Sequence, residues 1–209
     1  MDAEQTTLAN PFGMDEACTN CARCEPRDRV VHGYGTVDAE FLFVGETPSR
    51  AAERAGVPFV GDEAGERFQH ILGSVGLNNS LPTSEEPELT NAYVTYLTRC
   101  RDPGRAPTDD EIDVCEPFLN AEIRMINPEI LVPVGQRALG ALGVEYTTAP
   151  ADELDVRECH ATAIRGRGFE LFPMVHPSEM TADQMETFIV AFLELLRHDY
   201  RQTKGRRGR

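Results

Sequence analysis

Four short and nearly continuous apolar runs, rich in β-branched and aromatic residues, dominate the hydrophobic pattern of the chain. They lie at Glu40 to Gly45, Ala92 to Leu97, Glu129 to Val134 and Glu170 to Val175. Strands of a parallel sheet are buried on both faces and appear as continuous apolar runs, whereas half-exposed antiparallel strands alternate. The pattern therefore predicts four buried, mostly parallel strands.

Helical periodicity occupies the segments between these runs. It covers Asp62 to Gly76, the stretch after Thr108, Gln136 to Leu142 and the stretch after Thr181. Thr108 with Glu111, and Thr181 with Gln184, have the spacing of capping boxes at helix starts. Strands alternating with helices predict an α/β fold, a three-layer α/β/α sandwich around a central, mostly parallel four-stranded sheet.

Length and composition refine this picture. The 209 residues suit one domain, expected at residues 18–201, with an N-terminal extension at 1–17 and a basic tail at 202–209. The formal charge of -15 is atypical of a basic nucleic-acid binder, and Lys204 is the only lysine among 20 basic residues. An acidic, lysine-poor surface predicts adaptation to high salt.

The chain shows no targeting or membrane signal. There is no apolar run of 18 residues, and the first ten residues lack the basic and apolar blocks of a signal peptide. We therefore expect a cytoplasmic protein that does not bind membranes.

The six cysteines are candidate ligands of a metal ion or a metal cluster. A disulfide framework is not expected for them, because the cytoplasm is reducing. Cys18, Cys21 and Cys24 form a CxxCxxC run, and Cys100 and Cys115 follow far along the chain. Four thiolates suffice for zinc or for an iron–sulfur cluster, and the spacing does not choose between them. Cys159, in a charged loop, is expected to be an unpaired surface thiol.

Glycine, polar and charged residues follow each predicted strand, where open parallel sheets bind their ligands. In chain order these are Gly45 and Glu46, Arg99 and Cys100, Gly135, and His176. Two arginine groups, Arg99 with Arg101 and Arg105, and Arg165 with Arg167, are expected near the same strand ends. There they would contact the phosphates of a nucleic acid.

Seven short motifs occur in order between Cys18 and Ser178. They are Cys18 and Cys21 with Val31, Gly33 and Gly35; Gly45, Glu46, Thr47, Pro48 and Ser49; Gly56, Val57, Pro58, Phe59, Val60 and Gly61; Arg99, Cys100, Arg101, Asp102 and Pro103; Pro107, Thr108, Glu111 and Cys115; Asn127, Pro128, Leu131, Val132, Val134 and Gly135; and His176, Pro177 and Ser178. In these motifs the chain resembles the family 4 uracil-DNA glycosylases, the iron–sulfur branch of that superfamily, here of a salt-adapted, halophilic archaeal type.

The resemblance implies a monomeric DNA-repair enzyme that hydrolyses the N-glycosidic bond of uracil in DNA and leaves an abasic site. It implies a 4Fe-4S cluster held by Cys18, Cys21, Cys100 and Cys115, with Cys24 outside the pattern. The implied catalytic residues are Glu46, for the sugar cation and water, and His176, for the departing uracil anion. The implied substrate-binding residues are Gly45, Thr47, Pro48, Phe59, Tyr96 and Ser178, with Phe59 stacking on the base extruded from the helix.

One departure from the family concerns base choice. Tyr96 stands where the family has an asparagine that reads uracil, and a hydroxyl lacks the paired donor and acceptor of an amide. This departure leaves open a glycosylase of the same fold with altered base choice. Two further alternatives also stay open: an inactive iron–sulfur protein that binds nucleic acid, and a small module stabilised by zinc.

Overall fold

The central sheet positions every candidate residue. A computed structural model describes residues 7–150 and 153–203, so the basic segment 204–209 of the predicted tail lies outside the described residues. The strands are β1 (Tyr34–Gly35), β2 (Phe41–Gly45), β3 (Ala92–Tyr96), β4 (Ile130–Pro133), β5 (Ile164–Arg165) and β6 (Glu170–Leu171), in the order β1-β3-β2-β4-β6-β5. Strands β3, β2, β4 and β6 run parallel, and β1 and β5 are antiparallel edges.

The predicted α/β architecture is confirmed, but in the described part of the chain the sheet has six strands instead of four. The two additional strands are only two residues long, too short to leave a hydrophobic pattern. The fourth predicted strand is also shorter than expected, because regular pairing of β6 ends at Leu171. Pro173, which has no N–H to donate, follows two residues later, and Met174 makes only an isolated bridge to Val134.

Among the described residues, five α-helices flank the sheet: α1 (Arg50–Ala55), α2 (Glu63–Ser74), α3 (Asp109–Ile126), α4 (Gln136–Tyr146) and α5 (Ala182–Arg197). Both predicted capping boxes are present, at Thr108 and Thr181. The short α1 was not predicted; the Ser49 hydroxyl accepts a hydrogen bond from the Ala52 N–H at its start. Helices α2 and α5 contact each other. Since connections between parallel strands are right-handed as a rule, the strand order puts α3 and α4 on the opposite face of the sheet.

Strands β2, β3 and β4 are buried along their whole length and form the centre of the core. The described part of the predicted N-terminal extension packs against this core: Phe12 and Met14 are buried, and Ala9 forms a bridge to Tyr34. Within the described ranges, no helix has the length and apolar character needed to cross a membrane.

Candidate active site

A cleft of about 1040 Å³ opens at the carboxyl ends of the parallel strands and continues between α3 and α4. We call it the α3–α4 cleft. Glu46, Thr47, Pro48, His176 and Ser178 line its inner end. The structure therefore brings together five of the predicted catalytic and substrate-binding residues, although they lie up to 132 positions apart in the sequence.

Gly45, Phe59 and Tyr96 lie beside this cleft and do not line it. A Cβ atom on Gly45 would lie 2.6 Å from Phe59 Cζ and 2.8 Å from Tyr96 Cδ1, so only glycine leaves room for the two rings.

Glu46 directly follows β2. Its carbonyl oxygen accepts a hydrogen bond of 3.0 Å from the Thr98 N–H, which holds the segments after β2 and β3 together. Burial raises the pKa of the Glu46 carboxyl, and the nearby cations Arg137 and Arg23 oppose that rise. Glu46 is therefore a half-buried carboxyl group that faces the cleft.

His176 follows β6 and has a defined tautomer. Its Nδ1 accepts a hydrogen bond from the Ser178 N–H at 3.2 Å, and the Ser178 hydroxyl lies 2.7 Å from the same nitrogen. A backbone N–H can only donate, so Nδ1 carries no proton and the neutral ring holds its proton on Nε2. Burial lowers the pKa of His176, which favours this neutral form.

Phe59 has an unusual backbone conformation for an aromatic residue, with a φ of 52°. Two buried side chains fix it: the Tyr96 hydroxyl accepts from the Phe59 N–H at 2.9 Å, and Gln69 donates to the Phe59 carbonyl at 3.1 Å. The Phe59 ring stacks on Phe68, with centroids 4.4 Å apart, and lies 5.9 Å from the His176 ring. Tyr96 thus holds Phe59 in place through its hydroxyl.

The four cysteines implied as cluster ligands, Cys18, Cys21, Cys100 and Cys115, line one small cavity. Cys24 and Cys159 are not among its lining residues. Within the described ranges, no three cysteine, histidine or acidic side chains are grouped as a single metal ion would need.

Burial and two arginines act in opposite directions on the charge of these thiols. Burial raises the pKa of Cys100 to about 11 and also raises that of Cys115, so a bound metal would have to displace their protons. Arg27 donates to Cys100 Sγ at 3.4 Å, and Arg99 lines the same cavity. These guanidinium groups would offset the negative charge of four thiolates around iron.

The arginines expected as phosphate contacts are engaged with carboxylates. The nearest carboxylate oxygen is 2.6 Å away for Arg99 (Glu122), 2.6 Å for Arg105 (Glu111) and 3.7 Å for Arg101 (Glu53). Arg99 is also almost fully buried, with 1% of its surface exposed. The expectation of a phosphate contact is therefore wrong for Arg99, and for the exposed Arg105 it stays a prediction.

The second predicted arginine group lies at the other edge of the sheet. Arg165 pairs with Glu170, the first residue of β6, and therefore lies at the amino ends of the parallel strands. Two arginines that sequence reasoning missed are near His176: Arg67 donates to the Pro177 carbonyl at 3.4 Å, and Arg157 pairs with Glu179 at 3.1 Å. Neither follows a strand, so the strand-end pattern gave no signal for them.

Acidic residues on α3 form a wall of the cleft that was also missed. Asp109, Asp113 and Glu116 line it, with Arg137 of α4 paired to Asp109 at 2.6 Å. Their spacing of four and three residues places them on one helix face, which is the signal that could have revealed them. The outer part of the cleft is thus acidic and unsuited to a bare phosphate strand.

Comparison with known proteins identifies the family of this chain. The model of the Uracil DNA glycosylase superfamily matches residues 32–197. A type-4 uracil-DNA glycosylase from Thermotoga maritima is 31% identical over 168 residues, covering 77% of this chain and 76% of the relative. One from Saccharolobus solfataricus is 31% identical over 163 residues, covering 77% and 71%.

A type-5 uracil-DNA glycosylase from Mycobacterium tuberculosis is also similar, at 32% identity over 162 residues, covering 72% of this chain and 58% of the relative. The type-4 matches extend over more of both proteins. The chain belongs to the uracil-DNA glycosylase superfamily and, within it, to the type-4 family.

Proposed function

We propose that this protein hydrolyses the N-glycosidic bond between uracil and deoxyribose in DNA, leaving an abasic site. The observation that carries the proposal is the convergence of Glu46 and His176 on one cleft at the carboxyl edge of the sheet. One is an acid and the other a neutral hydrogen-bond donor, which matches the two charges that develop when this bond breaks.

The bond between sugar C1′ and uracil N1 breaks first, and the electron pair stays on uracil, which leaves as an anion. His176, with its proton on Nε2, can donate a hydrogen bond to a uracil carbonyl where that negative charge develops. A neutral imidazole keeps its Nε2 proton when it donates this hydrogen bond, so it stabilises the anion without protonating it. The Ser178 N–H, by occupying Nδ1, keeps the donor on the opposite side of the ring.

Glu46 acts on the positive charge that is left on the sugar. Its carboxylate stabilises the cationic sugar and orients a water molecule for attack at C1′. The water oxygen bonds to C1′, and its proton passes to the carboxylate and then to solvent. Partial burial strengthens the interaction of Glu46 with a cationic sugar by reducing the screening by water.

The proposal includes a 4Fe-4S cluster held by Cys18, Cys21, Cys100 and Cys115. Its support is the shared cavity of the four thiols, the Arg27 contact with Cys100 Sγ, and the type-4 family membership. When bound, the cluster would cross-link the cysteine-rich N-terminal turn to the segment after β3 and to α3. We also propose that the enzyme works as a cytoplasmic monomer.

A glycosylase with broader base choice is the second candidate, and the hydrogen bond between Tyr96 and Phe59 favours it. With its hydroxyl lone pair engaged by a backbone N–H, Tyr96 offers no amide edge to distinguish uracil from other bases. Discrimination would then rest on the shape of the pocket and on backbone groups.

Product analysis on single-base substrates tests both candidates. Oligonucleotides carrying uracil, hypoxanthine, xanthine or a 5-substituted uracil are incubated with the protein in 2 to 4 M salt. The free base and the alkali-labile site are then measured. We expect free uracil and an abasic site, and loss of about 10²–10³-fold in rate for His176→Ala, which removes one donor to the leaving anion.

Release of uracil alone would support the first candidate, and comparable release of several bases the second. Binding of uracil-containing DNA without release of any base would contradict both. Iron content and thermal melting of each variant provide the control that the protein is folded and loaded.

A further inference from the structure

Arg23 is a buried cation in the middle of the cysteine-rich turn. It belongs to the short 3-10 helix Ala22–Cys24, and only 1% of its surface is exposed. Its Nε donates to the Cys100 carbonyl at 2.8 Å, and its Nη2 donates to Thr47 Oγ1 at 3.2 Å. Because burying a charged side chain is costly, these contacts must offset its desolvation.

Thr47 completes a closed set of hydrogen bonds. Its hydroxyl accepts from Arg23 and donates to the same Cys100 carbonyl at 3.2 Å. Thr47 directly follows Glu46, and Cys100 directly precedes a segment that leads to α3. Arg23 therefore joins two segments that carry proposed cluster ligands to the segment that carries the proposed catalytic carboxylate.

The charge of Arg23 is only partly neutralised by its neighbours. Glu111 Oε2 lies 3.6 Å from Arg23 Nη1, but both oxygens of Glu111 are bound by Arg105, at 2.6 and 2.7 Å. In the described structure, Arg23 Nη1 has no hydrogen-bond partner. One carboxylate thus serves two guanidinium groups, and a positive charge remains beside the Glu46 segment.

Charged groups from four parts of the fold act on Glu46 or line the cleft with it. The cations that favour its ionised form are Arg137 from α4 and Arg23 from the cysteine turn. The carboxyl groups that line the same cleft are Asp109, Asp113 and Glu116 from α3, Glu145 from α4 and Glu179 after β6, together with the neutral His176. Arg137 is paired with Asp109, whereas Arg23 shares its carboxylate with Arg105.

We propose that Arg23 is a positioning residue that couples the cysteine site to catalysis, because it orients Thr47 and holds a positive charge near Glu46. The carboxylate of Glu46 then depends, in both geometry and charge, on an intact cysteine turn. The effect on excision rests on the proposed function, but the effect on Glu46 itself does not.

Three variants separate charge from hydrogen bonding. Arg23→Gln retains donor groups and loses the charge, and Arg23→Lys retains the charge and loses the planar geometry. Arg124→Gln, at an exposed position near the end of α3, removes the same net charge elsewhere and is the matched control. The pKa of Glu46 is measured by ¹³C NMR of glutamate-labelled protein, with Glu46→Gln used to assign the carboxyl signal.

We expect Arg23→Gln to raise the pKa of Glu46 by about one unit, since loss of a nearby opposite charge disfavours the ionised form. Arg23→Lys and Arg124→Gln should leave that pKa close to the wild-type value. In single-turnover excision, the rate is expected to decline at low pH as Glu46 becomes protonated, and Arg23→Gln should move this decline to higher pH. At one pH unit below the wild-type midpoint, Arg23→Gln should then be about tenfold slower than wild type.

The iron content of each variant is measured alongside. An unchanged pKa of Glu46 in iron-loaded Arg23→Gln would overturn the proposal, and so would an equal pKa shift in Arg23→Lys or in Arg124→Gln. A uniform loss of rate at every pH, with the decline at low pH unmoved, would also overturn it, because that is structural damage. If the pKa shift occurs but the wild-type protein releases no uracil, the coupling is supported and the proposed function fails.

Discussion

The ion pair between Arg99 and Glu122 joins α3 to the sheet next to the cysteine site. Its removal should lower the free energy of unfolding by an amount that the burial of the pair allows us to estimate. Each side chain has 1% of its surface exposed, and Arg99 Nη2 lies 2.6 Å from Glu122 Oε2. Glu122 also accepts from the Thr95 hydroxyl at 2.7 Å. Glu122→Gln keeps the shape but leaves the Arg99 cation without its carboxylate.

Breaking a buried ion pair on one side costs about 3–5 kcal/mol. A domain of this kind has a total unfolding free energy of about 5–15 kcal/mol, so the loss is a large fraction of it. At about 2–4 °C per kcal/mol for a chain of this size, the melting temperature should fall by about 10 °C.

Urea unfolding followed by circular dichroism measures this change. Glu116→Gln is the matched control, because Glu116 is an exposed glutamate of the same helix, and its effect should stay within about 0.5 kcal/mol. Arg99→Met combined with Glu122→Leu should recover part of the lost stability, since no charge is then left buried. A loss below about 1 kcal/mol for Glu122→Gln, with an unchanged slope of free energy against urea, would refute the reasoning.

Three further predictions concern pH, iron and salt. Burial, reinforced by Arg99, lowers the pKa of His32 to about 4; since its unfolded pKa is higher, about 3 kcal/mol of stability should be lost as pH falls from about 6.5 to 4. The urea midpoint should therefore depend less on pH in His32→Leu than in wild type, and equal slopes would contradict this. Cys115→Ala should abolish iron binding and Cys24→Ala should not, as measured by elemental analysis; the reverse order would exclude the proposed ligand set. The formal charge of -15 should repel DNA at low salt, but the Debye length is about 3 Å at 1 M salt. At limiting enzyme, the excision rate should therefore not fall steeply as KCl is raised from 0.2 to 2 M. A steep fall would contradict this, because it would show that many phosphate contacts drive DNA binding.

The sequence predicted the parts of this fold that have a strong local cause. Parallel strands buried on both faces produce apolar runs, so β2, β3 and β4 were located within one or two residues. The capping-box spacing of Thr108 with Glu111 and of Thr181 with Gln184 predicted two helix starts, and both residues are the N-caps of their helices. Edge strands of two residues lack such a signal, because cross-strand partners distant in sequence define them.

The candidate site shows the same division. Position after a strand was enough to predict that Glu46 and His176 lie at one edge of the sheet. The sequence could not show that the Tyr96 hydroxyl binds the Phe59 backbone, or that carboxylates engage Arg99 and Arg105. Those contacts join residues whose separation in the chain carries no periodic signal, so only the folded arrangement reveals them.

The role of Arg23 is the hardest feature of the site to predict from the sequence. Within a CxxCxxC run it has the appearance of a surface charge, yet the folded chain buries it between Cys100 and Thr47. The cysteine turn is therefore linked to the catalytic segment by direct hydrogen bonds.

Single-turnover release of uracil by iron-loaded wild-type and Glu46→Gln proteins tests the central claim most directly. The wild-type protein should release free uracil from a uracil-containing oligonucleotide and leave an alkali-labile site. Glu46→Gln, with unchanged iron content and melting temperature, should be slower by about 10²–10⁴-fold. Equal rates for the two proteins, or no release by the wild type at any salt concentration, would contradict the account.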